Sequence, residues 1–351
     1  MEIFSLLIFS ILLIPIFEFG KGINVNKVGI NIFFVYRYWV LAFMILIPGL
    51  RDVSVGLDTQ QYNYIFEQYS NSYFGSDTRL EQGYLIINKF VHDILESFIW
   101  MQIITSSLYI IPLYWLSSKY SSKVWLSLML FVVYIFYYMC FNEMRQSIAM
   151  GMSCIAFFYL VQSDWKKYLI FVCISCFFHH TAAVLFPLFI LGYIDKFKVW
   201  YVVLFVIGFC VTTAFLSLFF SFIGSLQTIS YENDGTAGGW GLIAIQVLIL
   251  LLAICKRNSL LKDKHNLYAF YYIACAVVIF PICHTTPVMF RLEQYFWLPM
   301  VILIPNILSS YKNRIIQKIG IFSFLIIGYF FLFVQTFSER NQILPYVFFD
   351  K

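Results

Sequence analysis

Charge is what this sequence has least of. Only 12% of its 351 residues are Asp, Glu, Lys or Arg, against 61% that are hydrophobic, and the mean hydropathy is +0.81. Soluble domains carry roughly a quarter charged residues, so a water-soluble domain is excluded and a polytopic membrane protein is implied. There is no glycine-rich loop opening a helix and no Walker pattern, which removes the common nucleotide sites. The net charge of +5 is no signal for nucleic acid. Met1-Glu2 supplies no basic segment ahead of the first apolar run, and no small-residue cleavage site follows it, so that run reads as a retained helix rather than a signal peptide. Cysteine chemistry is also thin. All eight cysteines lie within or at the edge of apolar runs, and Cys173-x-x-Cys176 has neither a second pair nor polar neighbours, so packed, reduced thiols are expected.

What the sequence does have is long apolar runs. A bilayer core of ~30 Å needs about 20 helical residues. Runs of that order lie near 3–19, 30–50, 98–116, 124–140, 146–162, 199–222, 240–255, 267–283, 288–308 and 317–337. A further stretch, 167–194, is interrupted by "HHT". The expected fold is all-α: a polytopic membrane helix bundle of about 10 full spans plus a short or re-entrant hairpin at 167–194. The chain reads as one integral membrane domain over 1–351, with extracytoplasmic segments at 51–97 and 224–240.

Loop charges set the orientation, because cytoplasmic loops concentrate Lys and Arg. With simple alternation the later basic loops fall on the wrong side. If 167–194 enters and returns on one side, with His179-His180 at its tip, all of them become cytoplasmic. The inside then holds 16 Lys/Arg and 4 Asp/Glu, and the outside 7 and 14.

That topology gathers on the outer face the stretch "RDVSVGLDTQQY" (51–62), the junction "FNEMRQS", the tip "FFHHTA" and the stretch "CHTTPVMFRLEQY". Ionisable groups beside spans are costly and usually line a cavity or ligand path, so one extracytoplasmic pocket is expected around Arg51, Asp58, Arg145, His179 and Arg291. Each has a local alternative: Arg51 as an interfacial helix stop, Asp58 as a helix cap, Arg145 paired with Glu143 or Asn142, the histidines as packed polar residues, and Arg291 bonded to Glu293 or a loop carbonyl. Arginine forks match phosphate oxygens and stay charged in poorly solvated sites, which suits a diphosphate leaving group. A carboxylate or neutral imidazole can take the proton of an attacking sugar hydroxyl. Transfer from a phosphorylated lipid fits this set. On this reading Arg51→Lys and Asp58→Asn should accumulate normally yet fail to make polymer.

Taken in order, Arg51-Asp52-x-x-Val55-Gly56-x-Asp58-Thr59-x-x-Tyr62, Arg145-Gln146, His179-x-Thr181-Ala182, Arg291-x-x-x-Tyr295 and Pro345-Tyr346 resemble the EpsG family, Wzy-like polysaccharide polymerases of bacterial exopolysaccharide, capsule and O-antigen clusters. Where relatives often have Thr after the glycine, this chain has Leu57. The resemblance implies a glycosyltransferase-C-like enzyme of the bacterial cytoplasmic (inner) membrane, joining undecaprenyl-diphosphate-linked oligosaccharide repeat units on the outer, periplasmic or exterior face. It implies no cofactor and no metal. Its partners would be the lipid-linked oligosaccharide, the bilayer, and a chain-length regulator and flippase. It assigns Arg51, Arg145 and Arg291 to the diphosphate, Asp58 or His179 to the base, and Tyr62, Gln146, His180 and Tyr295 to the pocket wall. A lipid-linked oligosaccharide flippase would need polar residues on both sides and usually an internal repeat, and a membrane O-acyltransferase would need a cytoplasmic acyl donor. An O-antigen ligase shares the donor chemistry and differs only in acceptor.

Overall fold

The computed structural model describes residues 2–19, 32–68, 80–215, 239–283, 287–336 and 342–349. The loop expected at 224–240 therefore lies almost wholly outside the described residues, as does part of 51–97. Among the described residues there is no strand, and the sixteen α-helices form an all-α polytopic membrane bundle. They are α1 (Glu2–Phe19), α2 (Ile32–Gly49), α3 (Thr59–Glu67), α4 (Gln82–Leu95), α5 (Phe98–Tyr120), α6 (Val124–Val133), α7 (Met139–Asn142), α8 (Met144–Val161), α9 (Trp165–Phe178), α10 (Trp200–Ala214), α11 (Trp240–Cys255), α12 (Arg257–Leu260), α13 (Lys264–Cys283), α14 (Pro287–Trp297), α15 (Met300–Ser309) and α16 (Arg314–Thr336). A 3₁₀ segment, His180–Tyr193, follows α9.

Every apolar run of the sequence carries helix, and two of the runs, 124–140 and 288–308, are broken along their length. Within the described residues four helices are long and apolar enough to cross a membrane: α5, α8, α13 and most of α16. The run 124–140 is a bent pair, α6 followed by Phe136–Asn142, with a 66° change of direction. The bend occurs at Ile135, whose φ of +75° places a β-branched residue in the left-handed region, a conformation that only surrounding packing can hold. The run 288–308 is two helices, α14 and α15, broken at Leu298-Pro299, where proline has no N–H to continue the ladder. Five further apolar helices are shorter over the residues described for them.

Burial grades across the bundle as lipid requires. The residues of α6 from Leu126 to Val133 are buried throughout, as are those of α15 from Met300 to Leu308. By contrast α16 turns Ile319, Phe322, Ile326, Phe330 and Phe333 outward. Hydrocarbon is as apolar as these side chains, so this exposed face suits a bilayer and would be an aggregation hazard in water.

The two ends of the bundle differ chemically. At one end Lys264 reaches both Ser163 Oγ and Asp195 Oδ1 at 2.8 Å. Nearby, Asn306 donates to Tyr120 O at 2.8 Å and to Asn266 Oδ1 at 2.7 Å. One lysine thus touches the residues just before and just after the 165–193 hairpin. The hairpin therefore leaves and rejoins the bundle at the same end, as the charge pattern requires. Arg145 lies in the first turn of α8 and Ser163 just past its last residue, so Arg145 stands at the other end, about 27 Å away at 1.5 Å per residue.

Candidate functional site

The turn after α2 is built around Arg51. This side chain is 0% exposed. Its guanidinium donates to Pro48 O, to Val55 O at 3.2 Å, to Thr59 Oγ1 at 3.3 Å and to Phe141 O at 3.1 Å, and it lies 5.2 Å from the centre of the Phe141 ring. Gly56 allows the turn to close. Its φ is +100°, and a Cβ there would come within 2.6 Å of Phe141 O. The C-terminal segment straps the turn from outside: Asp52 N–H donates to Val347 O, Phe349 N–H to Leu50 O, and the Tyr346 hydroxyl to Ile47 O at 2.6 Å. The first and last motifs of the sequence are thus one structural unit, and the structure does not bring the Arg51 fork into the polar cluster described next.

That cluster gathers at the start of α8. Asp58 precedes α3, but its side chain makes no capping hydrogen bond. It is half-buried and lies within the electrostatic reach of Arg291 and Arg145. Glu81, just before α4, is 4% exposed and accepts from Arg145 Nη1 through Oε2. Its Oε1 lies 2.7 Å from His179 Nδ1. Arg145 Nε donates to the Tyr62 hydroxyl at 3.3 Å. Arg291 Nε sits 3.3 Å from Glu143 Oε1, and the Arg291 side chain is 35% exposed. His179 falls at the break between α9 and the 3₁₀ segment, and its Nε2 is buried with no partner.

Two of the expected wall residues hold this frame together. Gln146 donates to Arg291 O at 2.9 Å and to Gln294 Oε1 at 2.7 Å, tying α8 to α14. The buried Tyr295 hydroxyl accepts from Thr181 Oγ1 at 3.3 Å, tying α14 to the 3₁₀ segment. Tyr62 is buried against Tyr84. His180 is exposed beside the cluster and takes no part in its hydrogen bonds described here.

Glu81 was not singled out by its sequence, and the expected local ion pairs do not form. Arg145 pairs with Glu81 instead of Glu143, and Arg291 pairs with Glu143 instead of Glu293. Glu293 is fully buried elsewhere, accepting from Gln246. The one local signal for Glu81 was the glycine two residues on. A Cβ at Gly83 would lie 2.7 Å from Phe177 O, so glycine lets the start of α4 dock on the end of α9 and brings Glu81 to His179. The charge balance also differs from expectation: two arginines face three carboxylates, Asp58, Glu81 and Glu143.

The carboxylates are tuned differently. Burial raises Asp58, and the Arg291 and Arg145 charges only partly offset it. Burial likewise raises Glu143, against the pull of Arg291 and His179. For Glu81 burial also works upward, but the His179 hydrogen bond and Arg145 overcome it and hold the group at about 2, below its ordinary 4.5. A depressed carboxyl contributes stability that is fully present above its unfolded pKa and is lost as pH falls through the folded one. That contribution is lost between pH ~4.5 and ~2. Thermal melting of the detergent-purified protein should therefore fall across that window, and Glu81→Gln should flatten the fall. Parallel curves would remove Glu81 from the stabilising network.

The sequence model of the EpsG family matches residues 34–348, nearly the whole chain and every residue of the cluster. No curated protein and no solved structure matches it.

Proposed function

We propose that this chain, which belongs to the EpsG family of Wzy-like polymerases, joins oligosaccharide repeat units carried on a lipid diphosphate, at the outer face of the bacterial cytoplasmic membrane. The observation that carries this reading is the convergence of Asp58, Arg145, His179 and Arg291, from four segments far apart in sequence, at the bundle end remote from Lys264. Basic loops mark the Lys264 end as cytoplasmic, which turns the cluster outward.

Arg145 and Arg291 each have guanidinium nitrogens beyond those bound to Glu81, Tyr62 and Glu143, and these would hold the diphosphate. The acceptor hydroxyl oxygen forms a bond to the anomeric carbon of the donor sugar while the bond from that carbon to the diphosphate oxygen breaks. The hydroxyl proton passes to His179 Nε2, and the lipid diphosphate leaves against the two arginines. Of the two candidate bases, the buried and unpartnered Nε2 favours His179. Asp58, open and uncapped, would then hold acceptor hydroxyls. The chemistry needs no metal ion.

Purified protein incubated with a synthetic lipid-diphosphate repeat unit should yield a ladder spaced by one unit, and the ladder should persist in chelator. Right-side-out vesicles should make it from added donor, and inverted vesicles should not. A single transfer to a different acceptor would indicate a ligase instead, and metal-dependent synthesis would overturn the arginine mechanism.

A further inference from the structure

We propose that Glu81 is the positioning residue for His179, fixing its Nδ1–H tautomer so that the buried Nε2 presents a lone pair to the acceptor hydroxyl. The inference rests on the reading of His179 as the base and names the group that makes it one.

Glu81 occupies a helix-start position yet makes no side-chain cap for its own helix. Its two oxygens serve two other elements, Oε1 facing His179 Nδ1 at 2.7 Å and Oε2 accepting from Arg145. An ionised carboxylate only accepts, so Nδ1 must carry the proton. In a neutral imidazole the other nitrogen then has the lone pair. That nitrogen, Nε2, is buried and lacks any partner, an arrangement folded proteins avoid unless a ligand completes it. The group required is a hydrogen-bond donor small enough for a buried site, and an alcohol O–H of a sugar meets that description. Arg145 has a second role here. Its charge keeps Glu81 ionised, so the proton shared across the 2.7 Å contact belongs to His179. Among the described residues the other ionisable groups facing this pair are Glu143, on the junction before α8, whose carboxyl is within electrostatic reach of His179, Tyr62, which bonds Arg145, and Tyr295, whose hydroxyl is within electrostatic reach of Glu81. Asp58 and Arg291 complete the ring through Glu143.

Two measurements on the full chain test this. Nitrogen-15 histidine labelling in detergent, with the His179 signals identified by their absence in His179→Gln, should show a protonated Nδ1 and a pyridine-type Nε2 above neutral pH. In parallel, the polymerisation rate of Glu81→Gln should fall on the order of 10²–10⁴-fold in kcat. Its KM for the lipid-linked donor should be little changed. A wild-type His179 protonated on Nε2 instead would overturn the proposal. So would a Glu81→Gln enzyme that keeps the wild-type rate. If Glu81→Gln does not fold, the wild-type tautomer decides alone. If the wild type shows the stated tautomer but makes no ladder, the polymerase reading fails and the Glu81–His179 pairing stands.

Discussion

Arg51→Lys is expected to deplete folded protein from the membrane, instead of leaving a full complement of inactive enzyme. The fully buried guanidinium is shared among acceptors on three pieces of chain: Pro48 at the end of α2, Val55 and Thr59 in the following turn, and Phe141 at the end of α7. Burial lowers its pKa to about 10, so the group remains charged at neutral pH. A lysine ammonium is a single point with three donors and cannot reproduce a planar fork that reaches all three. Breaking a buried, hydrogen-bonded charge costs about 3–5 kcal/mol. Total stabilities are about 5–15 kcal/mol, so a loss of that size removes a large share of the folded population. Size-exclusion profiles and melting of solubilised Arg51→Lys, beside Asp58→Asn, would check it. Asp58→Asn should give the normal profile, because that carboxylate caps nothing. Full recovery of folded Arg51→Lys that makes no polymer would restore Arg51 to direct contact with substrate.

Arg291→Ala is expected to do the opposite: normal folded protein and almost no polymer. Among the described residues this side chain is engaged through Nε, with Glu143 at 3.3 Å, and 35% of it remains exposed. The pair is open to solvent on the Arg291 side, and burial already favours the neutral form of Glu143, which can take up a proton when the arginine is lost, so folding should be little affected. A preorganised donor to a developing negative charge is worth about 10²–10³ in rate, and in the proposed transfer that charge develops on the diphosphate leaving group. Arg291→Lys should recover only part of the rate, because it keeps the charge without the fork. The measurement is the rate of ladder formation per mole of folded protein. Wild-type rates in Arg291→Ala would move the diphosphate site away from this arginine.

These two variants begin from the same sequence inference, an arginine beside a span on the outer face, and end with opposite expectations. Nothing local separates Arg51 from Arg291. What separates them is that the C-terminal strap and α7 close over the first, while the second stands at the rim of the cluster.

The membrane class, the helical runs and the family motifs were all determined by the sequence alone. Each of these depends on hydrophobicity and charge summed over neighbouring residues, quantities that do not change with the partner chosen. The return of the 167–194 hairpin to its starting end followed from charge parity, and Lys264 binding both flanks of that hairpin bears it out. The identity of each ion pair was decided only by the tertiary structure. Glu81 meets Arg145 from 64 residues away and His179 from 98, and Arg51 meets Phe141 from 90. The closer candidates Glu143 for Arg145 and Glu293 for Arg291 lost out. Partner choice in a low-dielectric site follows from which helix ends can approach closely, through Gly83 on Phe177 or Gly56 on Phe141, and such approach is a property of packed surfaces that no stretch of sequence carries by itself.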